Sequence, residues 1–307
     1  MRAVTISSWG AAPTFTSSHP APTASDPNLV TLRVLASGFH QLVRAQATGT
    51  HYSTKTSVMP YIPGADGVGV TPDGQTVYFN SIATGGAFAE SITVPKTNIT
   101  PIPHGADPVQ IAGLTNPGMS SWMAFKARVS NLPPKFTVVI TGVTAISGKV
   151  AVHFARALGA GKIIGVARNA KEMASIEGLN QSIVLADNPA ETDFSSLGDV
   201  DLILDYLYGP AVVSLLTALK SSVPVQFVQI GAVAGNDITL PGALLRSKDI
   251  TMRGAGPGAW SMPHFAKELP GLLAAVATLP NMDLKVRKLE DVESAWAAKR
   301  ERTVFVP

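Results

Sequence analysis

Residues 137–169, TVVITGVTAISGKVAVHFARALGAGKIIGVARN, restrict the fold more than any other stretch of the chain. Val138, Val139 and Ile140 form a short apolar run rich in β-branched side chains, the texture of a buried strand. Ala151, Phe154, Ala155 and Leu158 then fall on one face of a helix. Ile163, Ile164 and Val166 make a second strand. The spacing predicts strand, turn, helix and strand. In such a unit the helix opens beside the turn, and its first turn carries unpaired N–H groups and the positive end of the dipole. A pyrophosphate suits that end, so the unit predicts dinucleotide binding.

The turn reads Gly142-Val143-Thr144-Ala145-Ile146-Ser147-Gly148. Against a G-x-G-x-x-G fingerprint it is degraded: Val143 and Ala145 stand where the first two glycines would be, and Gly148 keeps the third. Taken alone the motif also reads as an ordinary βαβ turn; its place between strand and helix favours the nucleotide. Arg168 follows the second strand. Enzymes that use the non-phosphorylated cofactor usually carry an acid there for the ribose 2′-OH. The segment Ala167-Arg168-Asn169-Ala170-Lys171 has no acid and two cations. A guanidinium grips a 2′-phosphate bidentately and stacks on adenine, which points to NADPH; the plainer reading of Arg168 is a surface arginine.

Around this unit the texture changes twice. Residues 1–118 are rich in Pro, Gly, Ser and Thr, with short apolar runs at 30–35, 68–70, 76–79 and 92–94, and read as β-rich with irregular loops. From 119 onward strands and helices alternate. Further strands are expected at 182–185, 202–204, 225–230 and 250–252, with a helix marked by Val212, Leu215, Leu216 and Leu219. Counting the first two gives six strands, which fits a doubly wound parallel sheet in an α/β protein. The tail predicts a helix over 263–277, a strand over 283–289, a short helix over 291–298 and a last strand over 303–306.

Composition removes several classes. Apolar residues make up 46% and charged residues 15%, so a packed core is expected rather than disorder. The net charge of +3 is small and scattered, which argues against nucleic acid as a partner. Cysteine is absent, which excludes disulfides, thiolate nucleophiles and cysteine-bound zinc. The histidines are not spaced as a metal pair on one helix, no metal site is expected, and no G-x-S-x-G elbow marks a hydrolase. No apolar run reaches the ~18 residues of a membrane span, and the first residues lack the apolar core of a signal peptide. A cytoplasmic location is expected. Asn98-Ile99-Thr100 is a glycosylation tripeptide of the kind that arises by chance.

Several segments together resemble the medium-chain dehydrogenase/reductase superfamily, in its zinc-free quinone oxidoreductase-like branch. They are PYIPGADGVG at 60–69, GGAFAE at 85–90, NPGMSSW at 116–122, the 142–148 turn, LDYLYG at 204–209, QIG at 229–231, LLRS at 244–247 and DVESAW at 291–296. Each is weak; their order and spacing are specific, and they cover nearly the whole chain. The resemblance implies a GroES-like β-rich substrate domain over 1–118, completed by 262–307, and a Rossmann domain over 119–261. It places the active site where the two domains meet. It assigns Gly142, Thr144, Ala145, Ile146, Ser147 and Gly148 to the pyrophosphate and Arg168 to the 2′-phosphate; Lys171, the second cation of its segment, is a further candidate for cofactor binding. It assigns Ser120, Ile230, Gly231 and Ala232 to the nicotinamide end; Tyr206 is a further candidate for cofactor binding. Tyr52 matches a pocket tyrosine of the branch. His40 and Val43 stand where many relatives have asparagine and aspartate. The place of the zinc-binding relatives' His-Glu pair reads Ala65-Asp66.

The activity so implied is NADPH-dependent reduction of a quinone or an α,β-unsaturated carbonyl (enone). Charge growing on the acceptor's carbonyl oxygen needs a donor. Tyr52 is the first candidate catalytic donor and His40 the second; Tyr52 also reads as pocket-wall packing. Two other readings stay open: a redox-silent ligand-binding or cyclase-type protein on the same scaffold, and an alcohol dehydrogenase without metal. Relatives of this branch often form homodimers, so a homodimer is a further expectation.

Overall fold

A computed structural model describes residues 1–51, 58–298 and 301–307. The chain divides into two compact units: Met1–Pro117 with Leu269–Pro307, and Gly118–Glu268. In chain order the first unit opens with β1 (Ala3–Thr5), β2 (Thr14–Thr16), β3 (Leu29–Gly38), α1 (Gln41–Ala47), β4 (Asp66–Val70), β5 (Thr76–Asn80), β6 (Ser91–Pro95) and β7 (Ile99–Pro101). Helix α2 (Pro108–Met123) then enters the second unit. That unit holds β8 (Thr137–Thr141), α3 (Ile146–Ala157), β9 (Lys162–Ala167), α4 (Ala170–Ala174) and β10 (Gln181–Val184). It continues through β11 (Leu202–Asp205), α5 (Gly209–Ala218), β12 (Val225–Gln229), α6 (Gly242–Ser247) and β13 (Ile250–Gly254). Helix α7 (Met262–Ala277) returns to the first unit, which ends with β14 (Lys285–Lys288), α8 (Val292–Ala297) and β15 (Thr303–Val306).

The second unit is built on six strands in the order β10-β9-β8-β11-β12-β13, all neighbours parallel. The chain lays down β8, β9 and β10 outward in one direction, then returns past β8 to place β11, β12 and β13 in the other. The order therefore reverses between β8 and β11, and such a switch point opens a crevice at the strands' carboxyl ends. The strands read as apolar runs because both faces are buried. Val138 and Ile140 of β8 pack into one core with Ala151, Val152 and Ala155 of α3. Val139 points to the opposite core, with Val212, Leu215 and Leu216 of α5.

In the first unit a sheet runs β14-β15-β3-β4-β5-β7, with β6 paired to β3. Leu32, Val34, Val77 and Phe79 fill one core, and Phe88 meets Phe39 and Phe305 edge to face in another. Several expectations need correction here. Residues 108–117 are helix rather than β-rich loop, because Ile111, Ala112 and Leu114 are buried together. The strand expected over 283–289 shortens to Lys285–Lys288; Asp283 has φ 54°, and Leu289–Asp291 is already a 3₁₀ turn. The strand expected over 225–230 ends at Gln229. No helix among the described residues is long and apolar enough to cross a membrane.

Candidate nucleotide-binding site

The 142–148 turn leaves β8 at the switch point. Gly142 has φ +67°, a left-handed conformation that favours glycine, and its N–H donates to the Val166 carbonyl of β9 at 2.8 Å. Ala145 is different: it lies in extended backbone (φ −69°, ψ 155°) that any residue adopts, and its methyl is exposed. The missing glycine there leaves the turn unstrained. Gly148 is required for space, since a Cβ would lie 2.6 Å from the Val143 Cα and 2.7 Å from the Gly142 carbonyl oxygen. That closeness seats the first turn of α3 on the strand end. The helix's own bonding begins with the Lys149 N–H to the Ala145 carbonyl at 2.9 Å. The amides of Ile146, Ser147 and Gly148 have no acceptor among the described residues, and no side chain caps the helix. Three open donors at a dipole's positive end form an anion cradle.

Arg168 follows β9 and is exposed, as is Lys171. Among the described residues no carboxylate pairs with either. The nearby acid, Glu172, is held by Lys149 at 2.9 Å, and Asn169 caps α4 by accepting the Glu172 N–H at 3.1 Å. The end of β9 thus presents two cations and no acid to compete with a phosphate.

On the other side of the switch point, Asp205 ends β11 with its side chain fully buried. Thr141 donates its hydroxyl to Asp205 Oδ1 at 2.5 Å and accepts the Tyr206 N–H at 3.0 Å. The Leu207 N–H reaches Oδ1 at 3.2 Å and the Tyr208 N–H reaches Oδ2 at 3.0 Å. Burial pushes the Asp205 carboxyl up to about 6 in spite of these donors. The Tyr206 hydroxyl lies 3.2 Å from Ser120 Oγ, and burial raises its pKa to about 12, so it stays protonated. Ser120 and Tyr206 are therefore brought together. Ile230 and Gly231 donate their amides to the Asp205 carbonyl at 2.7 and 3.0 Å, which sets the 230–232 segment beside the 206–208 loop. Sequence reasoning missed Thr141 and Asp205; the available signal was an aspartate closing the otherwise apolar strand LILD.

His40 does not keep its expected role. It is 2% exposed, and both ring nitrogens are engaged. Arg302 Nη2 donates to Nδ1 at 2.5 Å. Arginine only donates, so the imidazole proton sits on Nε2 and goes to Asp66 Oδ1 at 2.7 Å. Tyr78 donates to Asp66 Oδ2 at 2.9 Å, and Arg302 also donates to the Gly113 carbonyl at 2.6 Å. Burial first, and then Arg302, hold His40 below its ordinary pKa. A Cβ at Gly38 would lie 2.3 Å from the ring, so glycine makes room for it. His40 is a neutral bridge in a buried network, with no proton free for a substrate. The other candidate donor, Tyr52, lies outside the described residues. A cavity of about 500 Å³ lined by Phe125, Val129, Leu132, Pro133 and Phe136 sits before the start of β8. It is at the opposite end of the strands from the cradle and has no part in this site.

No family model matches the chain. The probable NADPH-dependent quinone reductase tdiC of Emericella nidulans is 32% identical over 355 aligned positions that cover all of both chains. Among solved structures, the quinone oxidoreductase of Thermus thermophilus, determined alone and with NADPH, superposes with a TM-score of 0.79 at 24% identity over the full length of both. A mycobacterial quinone oxidoreductase gives 0.82 at 16% identity, again over both full lengths. An alcohol dehydrogenase from Pyrobaculum aerophilum gives 0.73 at 23%, covering all of this chain and 99% of the other. The chain belongs to the medium-chain dehydrogenase/reductase superfamily, in its quinone oxidoreductase-like branch. Its fold is the one that branch implies: a Rossmann sheet and a separate β-rich sheet.

Proposed function

We propose that the chain is an NADPH-dependent oxidoreductase that reduces a quinone or an α,β-unsaturated carbonyl without zinc. One observation carries the reading: Arg168 stands exposed and, among the described residues, unpaired by any acid after β9, the strand that flanks the open amides of α3. The relative tdiC, by its name NADPH-dependent, and the NADPH complex of the Thermus enzyme support it. The residues fit the group: glycine at 148 lets α3 start close against the end of β8, and the amides of Ile146, Ser147 and Gly148 have no acceptor among the described residues.

The amides of Ile146, Ser147 and Gly148 hold the pyrophosphate. Gly142, Thr144 and Ala145 form the wall of that turn. Arg168 grips the 2′-phosphate, and Lys171 adds a second, more mobile charge. Ser120, Tyr206 and the Ile230-Gly231-Ala232 backbone flank the nicotinamide end. Bound NADPH supplies a hydride. The chain's part is to hold donor and acceptor in one geometry and to keep water out. With no cysteine for a zinc centre, the acceptor is one already electrophilic, as quinones and enones are. Tyr52 remains the proposed donor to the acceptor oxygen; His40 is withdrawn from that role. A cytoplasmic homodimer completes the reading on the strength of the resemblance.

The test is NADPH oxidation by the purified chain over a panel of quinones and enones, beside alcohol oxidation with NADP⁺. Turnover on either electron-poor class is the expected result. Nucleotide binding with no transfer to any acceptor would replace the reading with a redox-silent one. Alcohol oxidation alone would make the chain a metal-free alcohol dehydrogenase.

A further inference from the structure

We propose that Asp205 is a positioning residue for the nicotinamide end of the site: its carboxylate sets the 206–208 loop and, through that loop, the 230–234 segment. The inference rests on the nucleotide reading above. Asp205 sits at the switch point, across from Thr141 on the neighbouring strand end. Its side chain gathers one hydroxyl and two amides, from Thr141, Leu207 and Tyr208. Its main-chain carbonyl gathers two more amides, from Ile230 and Gly231. Beyond it, Val233 donates to the Tyr206 carbonyl at 3.3 Å and Ala234 to the Leu207 carbonyl at 2.7 Å. Both loops that flank the nicotinamide end therefore hang on one residue.

The loop it holds is strained. Tyr208 has φ 55° and ψ −157°, a conformation almost confined to glycine, and persists only where its surroundings over-determine it. The carboxylate takes the Tyr208 N–H and fixes that peptide. Gly209 follows at φ +64°, and a Cβ there would lie 2.6 Å from the Ala234 carbonyl oxygen, so the two loops are closely fitted. A buried charge is a costly way to cap a turn when a neutral side chain could accept the same bonds. The charge makes sense as a clamp that holds three donors at once.

The clamp depends on ionisation. The groups that face the carboxyl are all donors: the Thr141 hydroxyl from β8 and the Leu207 and Tyr208 amides from the loop. No Lys, Arg or His among the described residues bonds it, and Tyr206, the titratable neighbour, points its hydroxyl to Ser120. A protonated carboxyl brings a fourth donor into this ring and loses the charge that strengthens the other three bonds, so its hold on them weakens. With its pKa raised to about 6 by burial, Asp205 lets go under mild acid.

The test is calorimetric binding of NADP⁺ and of 2′,5′-ADP to the full chain between about pH 5 and about pH 8. Both ligands carry the 2′-phosphate, so the ratio of their affinities cancels its titration and isolates the nicotinamide end. In the wild type the ratio is expected to fall about tenfold through about pH 6. Asp205→Asn should lose the pH dependence and weaken NADP⁺ about tenfold at neutral pH, with 2′,5′-ADP within about twofold. Thr141→Val should move the midpoint upward by removing a donor to the carboxylate, and Thr141→Ser should restore it. An Asp205→Asn protein with the wild-type ratio and midpoint would overturn the proposal. So would equal midpoints in the wild type and Thr141→Val, a pair that keeps the test open if Asp205→Asn fails to fold. A wild type that binds neither ligand would instead sink the nucleotide reading, and this proposal with it.

Discussion

In the first unit the buried charges answer to one another. Asp66 takes the Nε2–H of His40 and the hydroxyl of Tyr78, while Arg302 reaches His40 Nδ1 and the carbonyl of Gly113. In the second unit, among the described residues, Asp205 meets only neutral donors, and Arg168 and Lys171 stand exposed without an acid. The same residue types do different work in the two places. A closed network of partners holds a fold and offers a ligand nothing. A cation left open, beside unpaired amides, is an invitation to an anion. That contrast separates His40, a plausible acid from its sequence position, from Arg168, an unremarkable surface residue by composition.

The largest effect should come from opening the closed network. Arg302→Met leaves Asp66 buried without its cation and should destabilise the first unit by about 3–5 kcal/mol in urea unfolding. A loss under about 1 kcal/mol would mean the network contributes little to the fold. Next comes the cradle. Gly148→Val pushes a side chain into backbone at 2.6 Å and should cost about 2–3 kcal/mol in the second unit and abolish NADPH binding. Retained binding would show that the close seat of α3 is dispensable.

Acid should drive the two units in opposite directions. His40 has its pKa held below the ordinary 6.5, so its contribution to stability is present above that value and drains as pH falls through the lower folded one. Asp205 is raised from 3.8 to about 6, so its contribution is full below 3.8 and is lost as pH rises through about 6. Two units of pKa amount to roughly 3 kcal/mol as an upper figure. Hydrogen exchange followed from about pH 7 to about pH 5 should show the amides around His40 losing protection relative to the β8 and β11 strand amides of the second unit, while the Leu207 and Tyr208 amides open locally as Asp205 takes up its proton. Parallel trends in both units would break the comparison. The smallest effect should be Lys171→Ala, an exposed charge worth about 0.5 kcal/mol, or a two- to threefold weaker hold on NADPH by fluorescence titration. A loss as large as that of Arg168 would make the lysine an equal partner in the grip.

The βαβ unit was legible because strands buried on both faces read as unbroken apolar runs, and because α3 keeps one apolar face. Helix α2 was hidden for the converse reason. Ile111 to Thr115 are buried all round, so the segment shows no contrast between faces, and Asn116-Pro117-Gly118 reads as a turn. The proposed nucleotide site was readable in outline at Gly148 and Arg168, since each has a local requirement: space at a turn, and charge after a strand. The role of His40 was not, because its partners lie 26 and 262 residues away and only the folded sheet brings them together. Asp205 stood in plain view within LDYLYG, yet its meaning comes from Thr141, 64 residues earlier, and from the amides of a loop. Tyr52 falls outside the described residues, so the donor to the acceptor oxygen rests on the resemblance.

The most direct measurement is a fluorescence titration of the wild type and of Arg168→Ala with NADPH and with NADH. A charge-assisted bidentate grip on the 2′-phosphate is worth about 2–3 kcal/mol. The account predicts NADPH binding that weakens roughly 30- to 100-fold in Arg168→Ala, with NADH unchanged between the two proteins. Equal affinity of the wild type for both nucleotides, or an Arg168→Ala protein that binds NADPH as tightly as the wild type, would contradict it.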